Sequence, residues 1–343
     1  MEAITLNLRD ARQQVIRCIS ADLVPLVVGP PGMGKSAMVH DICNEFNLEL
    51  IDIRLTGHDP ADMNGYPMPD REAGKTRFLP IDLLPVEGDE LPKGKDGWFV
   101  FLDELTSVDE EMQGAAYKLI LDRMVGNKKL HPRVRMAAAG NREQDGAIAR
   151  SLSTALQSRM IHFEVHSDPE AWLSWAEKNG IDWRITGYIN HAKAKLNTFD
   201  PAHEDKTFAC ERTWHMVSKL IANEPDLPKG EFMPLVAGTI GMGVASEFLT
   251  YNEIKSELPT IKEIMTDPDN AKLPDNPSAV SGVSALIAAH TELSNLKPLM
   301  AYTKRLNPEM QFVTVRSMFR RNEDILNDPS MLDWVSQVSQ EYI

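Results

Sequence analysis

Short apolar runs recur through the first half of the chain, and helical or loop sequence separates each run from the next. They predict five buried strands of five or six residues each, at Leu23–Val28, Leu48–Ile53, Trp98–Leu102, Val134–Ala139 and Met160–Val165. A strand that is apolar throughout its length must be covered on both faces. The pattern therefore predicts a parallel sheet that lies between two layers of helices.

Helical sequence occupies the intervals between these strands. Lys35–Phe46, directly after the first strand, and Val108–Arg123, after the third, are predicted helices. Strands that alternate with helices along a chain are typical of an α/β fold. We therefore expect an αβα sandwich with a five-stranded parallel sheet, followed by helical regions.

Two parts of the chain depart from this alternation. Residues 56–95 are rich in proline, glycine and acidic residues, and they predict an insertion that is partly a hairpin and partly loop. After about residue 168 only helical patterns follow, beginning at Asp168 and Pro169, which have the character of a helix start. The predicted parts are a core at 1–167, a helical domain at 168–266 and a C-terminal helical region at 267–343.

Composition is that of an ordinary globular protein. Hydrophobic residues make up 43% and charged residues 25% of the 343 positions. No run of about 18 apolar residues occurs, so a membrane span is not expected, and the N-terminus lacks the apolar stretch of a secretion signal. The cysteines at 18, 43 and 210 lack metal-like spacing and fit a reducing compartment, which predicts a cytoplasmic protein.

Acidic residues outnumber basic ones, and the formal net charge is −14. Proteins that coat nucleic acid usually carry charge of the opposite sign, so nucleic acid is a disfavoured partner. A local basic patch that includes Lys128, Lys129, Arg133 and Arg135 keeps nucleic acid open as an alternative.

The first predicted strand leads into GPPGMGKS, which matches the pattern G-x-x-x-x-G-K-S from Gly29 to Ser36. Glycines let backbone N–H groups converge on phosphate oxygens, and the following helix directs its N-terminus at the same anion. Lys35 is expected to contact the β- and γ-phosphates and Ser36 to bind Mg²⁺. The alternative is an ordinary Gly-Pro turn. The residues predicted to contact the nucleotide are Gly29, Pro30, Pro31, Gly32, Met33, Gly34, Lys35, Ser36 and Ala37.

Two acids, Asp103 and Glu104, follow the third predicted strand. The carboxyl end of a neighbouring parallel strand lies within reach of a metal ion bound at the glycine-rich loop. Asp103 is therefore expected to hold Mg²⁺, and Glu104 to orient and deprotonate the attacking water. The alternative is an acid pair stabilised by the dipole of a following helix. The P-loop lysine upstream favours the catalytic interpretation.

Further polar residues lie near the last two predicted strands. Asn141 follows the fourth strand, where its amide would bind the γ-phosphate and the attacking water; the alternative is a turn residue after Gly140. Arg159 precedes the fifth strand and would serve the site of a neighbouring subunit as an arginine finger. Arg150 competes for this role, and an ordinary solvent-facing arginine is the alternative.

The order of these motifs resembles that of the AAA+ ATPases. GPPGMGKS, WFVFLDE, AAAGN and LQSRM are similar to the Walker A, Walker B, sensor 1 and arginine-finger motifs of that family. The MoxR branch is a closer resemblance, because Asp62 to Gly65 resembles its D-x-x-G element and VGNKKLHPR resembles its basic hairpin. The resemblance covers residues 8–166 and extends more weakly to ERTWHMVSKL, which resembles a sensor 2 helix.

The resemblance implies a P-loop NTPase that uses ATP and Mg²⁺, with a helical lid at 168–266 and with Arg212 completing the nucleotide pocket. Members usually assemble into homo-oligomeric rings, so a hexamer is expected. MoxR-type members commonly remodel proteins, often with a partner that bears a von Willebrand A domain. We therefore expect an ATPase that acts on a protein client. The alternative is a nucleic-acid-associated motor or loader of the phage or restriction type.

Overall fold

A computed structural model of the protein describes residues 4–145, 149–202, 205–253 and 258–342. The chain divides into two compact units. The first is Met1–Ser167 together with Asp200–His203, and the second is Asp168–Phe199 together with Glu204–Ile343. Within the described residues, every strand belongs to the first unit.

The strands of the described residues are short. They are β1 (Thr5–Leu6), β2 (Pro25–Val28), β3 (Leu48–Arg54), β4 (Tyr66–Asp70), β5 (Lys75–Leu79), β6 (Gly97–Asp103), β7 (Met124–Val125), β8 (Lys128–Lys129), β9 (Val134–Gly140) and β10 (Ile161–Val165). Six of them form one parallel sheet in the order β1-β10-β2-β9-β6-β3.

This sheet confirms the predicted α/β fold but corrects its strand number from five to six. The additional strand is β1, which pairs with Glu164 and Val165 at the outer edge of β10. A strand of two residues cannot produce an apolar run, so the hydrophobic pattern gave no sign of it.

Helices cover both faces of the sheet. Those of the first unit are α1 (Leu8–Ser20), α2 (Lys35–Glu45), α3 (Pro60–Asn64), α4 (Glu110–Asp122) and α5 (Thr154–Gln157). Successive residues of β6 alternate between the two faces, as a strand requires. Phe99 and Phe101 pack in the cluster that α1 and α2 cover, whereas Val100 and Leu102 pack in the cluster that α4 covers.

Two antiparallel hairpins interrupt the alternation of strands and helices. In the segment 56–95, β4 pairs with β5, and Tyr66 lies opposite Leu79 with both side chains exposed. The second hairpin joins β7 to β8 and exposes Lys128 and Lys129. Both segments had been expected to contain hairpins.

The second unit is helical throughout its described residues. Its helices are α6 (Pro169–Lys178), α7 (Trp183–His191), α8 (Glu211–Ile221), α9 (Lys229–Ile240), α10 (Met242–Glu253), α11 (Ile261–Thr266), α12 (Pro277–Ala289), α13 (Leu296–Thr303), α14 (Pro308–Arg321) and α15 (Pro329–Tyr342). No helix in the ranges that the structure describes is long and apolar enough to cross a membrane.

Two apolar clusters stabilise this unit. In one, the rings of Tyr188, Trp214 and Phe248 lie with centroids 5.3 to 5.6 Å apart. The other is built around the buried side chains of Tyr302 and Trp334. The division of this region at 266/267 stays a prediction, since both clusters lie within one compact unit.

The first helix of the second unit begins with a side-chain cap. The carboxylate of Asp168 accepts hydrogen bonds from the backbone N–H groups of Glu170, at 2.9 Å, and Ala171, at 3.2 Å. Pro169 follows as the first helical residue, where a missing N–H costs nothing. These are the features from which the sequence predicted a helix start.

We expect Asp168→Ala to destabilise the second unit by about 1 kcal/mol, because the first turn of α6 loses its cap. For a unit of this size, that loss corresponds to a fall in melting temperature of about 2–4 °C, measured by circular dichroism. Asp168→Asn is the matched control and should melt as the parent does, because asparagine caps equally well. Equal losses for both variants would show that the charge, not the cap, matters.

Candidate functional site

The glycine-rich loop lies between the end of β2 and the start of α2. Gly34 is the N-cap of α2 and has φ of +95°, in the left-handed region that favours glycine. Met33 is buried among residues of α1 and α2 and anchors the loop to the core. The loop therefore turns directly into a helix N-terminus, where unpaired N–H groups attract anions.

The side chain of Lys35 folds back, so that its amine lies against the glycine-rich loop. Its amine donates hydrogen bonds to the carbonyl oxygens of Gly29, at 2.6 Å, and Pro30, at 2.9 Å. It also donates to Oδ1 of Asn141, at 3.3 Å. The side chain is only 9% exposed. The structure thus brings the predicted phosphate-binding lysine and the predicted sensor asparagine together, although they lie on different strand ends.

Ser36 and Asp103 also meet at this edge of the sheet. The hydroxyl of Ser36 donates to Oδ2 of Asp103 at 3.1 Å, and Oδ1 of Asp103 accepts from the backbone N–H of Glu104 at 2.9 Å. Mg²⁺ prefers oxygen ligands and commonly takes one or two from protein, the rest from water and phosphate. These two residues fit such an ion. No group of three or more His, Cys, Asp or Glu suited to a metal occurs among the described residues.

Further negative charge surrounds Asp103. Burial raises the pKa of Asp52, and the Asp103 carboxylate raises it further, while Arg54 and His40 oppose the shift. A triphosphate that approaches these carboxylates needs a cation to offset the repulsion. The charges therefore favour a nucleotide that arrives with a divalent metal ion.

Glu104 occupies a constrained backbone position. Its φ is +62°, in the left-handed region that non-glycine residues seldom adopt, and a 3₁₀ turn, Leu105–Ser107, follows it. Its carboxylate accepts a hydrogen bond from the hydroxyl of Thr56, which lies just beyond β3. Sequence reasoning missed Thr56. The available signal was a hydroxyl residue three positions after a predicted strand.

The loop after Asn141 is held by a buried ion pair. Arg142 contacts the buried carboxylate of Asp145, with Nη2 and Oδ1 2.7 Å apart, and reaches Glu164 of β10 at 3.3 Å. The hydrogen bond with Asp145 raises the pKa of the Arg142 guanidinium, against the effect of burial. These residues were also missed, because two charged residues three positions apart are common in loops.

Arg159 lies between α5 and β10 and is exposed. Its Nη1 donates to the carbonyl of Ala155 at 3.0 Å and to the hydroxyl of Ser158 at 2.5 Å. The guanidinium carbon also lies 5.0 Å from the ring centroid of Tyr117 on α4. No carboxylate pairs with this arginine within the described part of the chain, so its charge is oriented but not neutralised.

The remaining candidates are arginines at other places. Arg150 is exposed, and its backbone N–H donates to the carbonyl of Thr106 at 2.6 Å. Arg212 belongs to the second unit, where it is exposed in the first turn of α8. Within the first unit, Lys35, Ser36, Asp103, Glu104 and Asn141 come together.

Comparisons with solved structures find distant likenesses. NtrX from Brucella abortus is 14% identical, with a TM-score of 0.40, over 92% of this chain and 69% of that chain. The same protein in complex with ADP is 14% identical, with a TM-score of 0.39, over 92% and 66%. RuvB from Thermotoga maritima is 16% identical, with a TM-score of 0.41, over 78% of each chain. Likeness at this level carries no argument about activity or partners.

Comparisons of sequence give a more specific result. No curated protein matches the chain. A family model does match it, over residues 25–166, and its description is "ATPase family associated with various cellular activities (AAA)". The matched segment begins at β2 and extends just past β10, so it contains the glycine-rich loop and every residue that meets it at the sheet edge. Residues 25–166, which are less than half of this chain, are therefore similar to the AAA ATPase family.

Proposed function

We propose that the protein binds ATP with Mg²⁺ at the Gly29–Ser36 loop and hydrolyses it to drive the remodelling of a protein client. One observation carries the catalytic part of this proposal: Lys35 contacts Asn141 while Ser36 contacts Asp103. Four residues at the ends of three strands, β2, β6 and β9, thereby meet at one edge of the sheet. Such a convergence of a lysine, a hydroxyl, a carboxylate and an amide suits phosphoryl transfer.

Each group has a defined task in this proposal. The Lys35 amine neutralises charge on the β- and γ-phosphates and gives up its loop carbonyls to do so. Ser36 and Asp103 hold the Mg²⁺ ion, which offsets negative charge that develops on the phosphate oxygens. Glu104 accepts the proton of the attacking water, and Asn141 orients that water and the γ-phosphate.

Thr56 would control when the Glu104 carboxylate can accept a proton from water. Its hydroxyl donates to Oε2 of Glu104 and so occupies an oxygen that would otherwise be free to accept a proton from water. Release of this contact would free the carboxylate to accept a proton from water. The segment 56–95 begins at Thr56, so a rearrangement of the insertion would reach the base directly.

We place Arg159 in the site of a neighbouring subunit of a homo-oligomeric ring, which we propose to be a hexamer. Its support is the oriented and unneutralised guanidinium held on Tyr117. Arg150 is the competing finger, and Arg212 would complete the same pocket from the second unit. Residues 168–266 of the helical second unit would act as the lid that moves after hydrolysis, with residues 267–343 as a separate C-terminal region.

For the client we propose a protein, in a cytoplasmic setting. The MoxR-like features support it: the D-x-x-G segment lies at α3, where Asp62 accepts hydrogen bonds from the Tyr66 hydroxyl at 2.9 Å and contacts His58 at 3.0 Å. Tyr66 itself is 44% exposed on the β4–β5 hairpin and is available to a client. A separate protein with a von Willebrand A domain is the partner that the resemblance suggests.

Nucleic acid is the second candidate client. Lys128 and Lys129 are exposed on the β7–β8 hairpin and favour it, whereas the net charge of −14 opposes it.

Lys35→Ala should lose ATP binding and turnover together, because no other amine contacts the loop carbonyls and Asn141 in the described structure. Binding is measured with a fluorescent ATP analogue and turnover by phosphate release. Lys118→Ala is the control, since this lysine donates to Gly126 on the second hairpin. Turnover by Lys35→Ala at the parental rate would remove the basis of the proposed function.

Arg159→Ala should keep ATP affinity but lower turnover by about 10³ or more, as expected for an arginine finger. A mixture of this variant with Lys35→Ala should regain part of the activity. Wherever a Lys35→Ala subunit contributes its arginine to the site of an Arg159→Ala subunit, an intact loop meets an intact finger, as a heterologous ring contact allows. Arg150→Ala is the matched control and should hydrolyse ATP normally. The reverse result, with Arg150→Ala inactive and Arg159→Ala active, would transfer the role to Arg150.

Glu104→Gln should bind ATP but lower its cleavage by about 10²–10⁴, because the general base is lost while the backbone stays the same. The Glu104→Gln protein should remain in its ATP-bound assembly, which size-exclusion chromatography with ATP would detect. It should also capture a protein client. DNA should not change turnover of the parent at low salt. Stimulation by single- or double-stranded DNA would instead favour a nucleic-acid motor.

A further inference from the structure

Thr106 lies two residues after Glu104, inside the 3₁₀ turn Leu105–Ser107, and is 6% exposed. None of the tasks described above uses it. Its buried hydroxyl nevertheless reaches across from the end of β6 to the end of β9. A hydroxyl group is both a donor and an acceptor, so it can hydrogen-bond to the N–H and to the C=O of the same residue.

The partner of this hydroxyl is the backbone of Asn141. The Asn141 N–H donates to Thr106 Oγ1 at 2.9 Å, and Thr106 Oγ1 donates to the Asn141 carbonyl at 3.0 Å. One side chain therefore satisfies both backbone groups of the residue that carries the predicted sensor amide. The register between β6 and β9 ends at Leu102 and Ala138, which is before Asn141.

Gly140 makes this contact close. A Cβ atom at position 140 would lie 2.4 Å from Thr106 Oγ1 and 2.5 Å from its Cγ2, distances that real atoms do not adopt. The glycine therefore lets Thr106 lie directly against the β9 backbone. The Thr106 carbonyl also accepts the backbone N–H of Arg150 at 2.6 Å, which joins the same turn to the segment before α5.

We infer that Thr106 is a positioning residue that fixes the Asn141 amide relative to Glu104 and Lys35. Three hydrogen bonds form a continuous path. Two join the Thr106 hydroxyl, in the turn that follows Glu104, to the Asn141 backbone, and in the third the Asn141 side chain accepts from the Lys35 amine at 3.3 Å. Thr106 touches neither nucleotide nor water in this inference. It acts through Asn141, and the inference therefore rests on the proposed ATPase activity.

The competing explanation is that Thr106 only stabilises the fold. Both roles predict that loss of the hydroxyl lowers the melting temperature, since two buried backbone groups lose their partner. Only the positioning role predicts that the loss lowers kcat at a normal ATP affinity, and that it does so only while the Asn141 amide is present.

We expect Thr106→Val to lower kcat about tenfold, equivalent to about 1.4 kcal/mol of barrier, with ATP affinity close to that of the parent. Thr106→Ser, which keeps the hydroxyl, should restore kcat. In the Asn141→Ala background, Thr106→Val should cause no further loss of kcat, because interacting residues are not additive. If Thr106→Val does not fold, Thr106→Ala replaces it in the same cycle.

Thr303→Val is the matched control for stability. Thr303 is fully buried in the second unit and donates its hydroxyl to the Leu299 carbonyl at 2.8 Å. The Thr303→Val substitution should lower the melting temperature and leave kcat unchanged.

The inference is overturned if Thr106→Val turns over ATP as the parent does, or if its loss of kcat is the same with and without the Asn141 amide. Parental turnover by Asn141→Ala alone would instead count against the proposed role of Asn141, which separates the two failures.

Discussion

Burial of both faces of the central strands is the constraint on which the rest of this structure depends. In β6, every residue before Asp103 is buried, and the side chains alternate between two apolar clusters. Such a strand has no room for a polar group along its length. Polar chemistry is therefore possible only where the strand ends, and because the strands are parallel, those ends share one edge. The packing of the core thus decides where the site lies.

Charge is distributed unevenly along that edge. The amine of Lys35 lies at the ends of β2 and β9, whereas the carboxylates of Asp103, Glu104 and Asp52 lie towards β6 and β3. In the proposed function, a nucleotide that lies across this boundary would meet the Lys35 amine on one side and the Asp103 carboxylate on the other. This separation of charge follows from the strand order, because β9 lies between β2, which leads to the lysine, and β6, which ends in the acids.

Local patterns predicted the layered fold, the glycine-rich loop and the acid pair, because each depends on neighbours in the sequence. Two contacts between distant segments escaped prediction. Thr56 binds Glu104 across 48 positions and Thr106 binds Asn141 across 35, and threonine is too common a residue to mark such pairs. The strand β1 escaped for another reason: two residues carry no periodicity.

That short strand has a consequence for how the domain can be handled. β1 extends the sheet beyond β10, and the N–H of His166 donates to the Leu6 carbonyl at 3.0 Å, so the first residues of the chain brace the strand that follows Arg159. Deletion of Thr5 and Leu6 would therefore remove the parallel neighbour of β10 and leave the strand that follows Arg159 at the edge of the sheet.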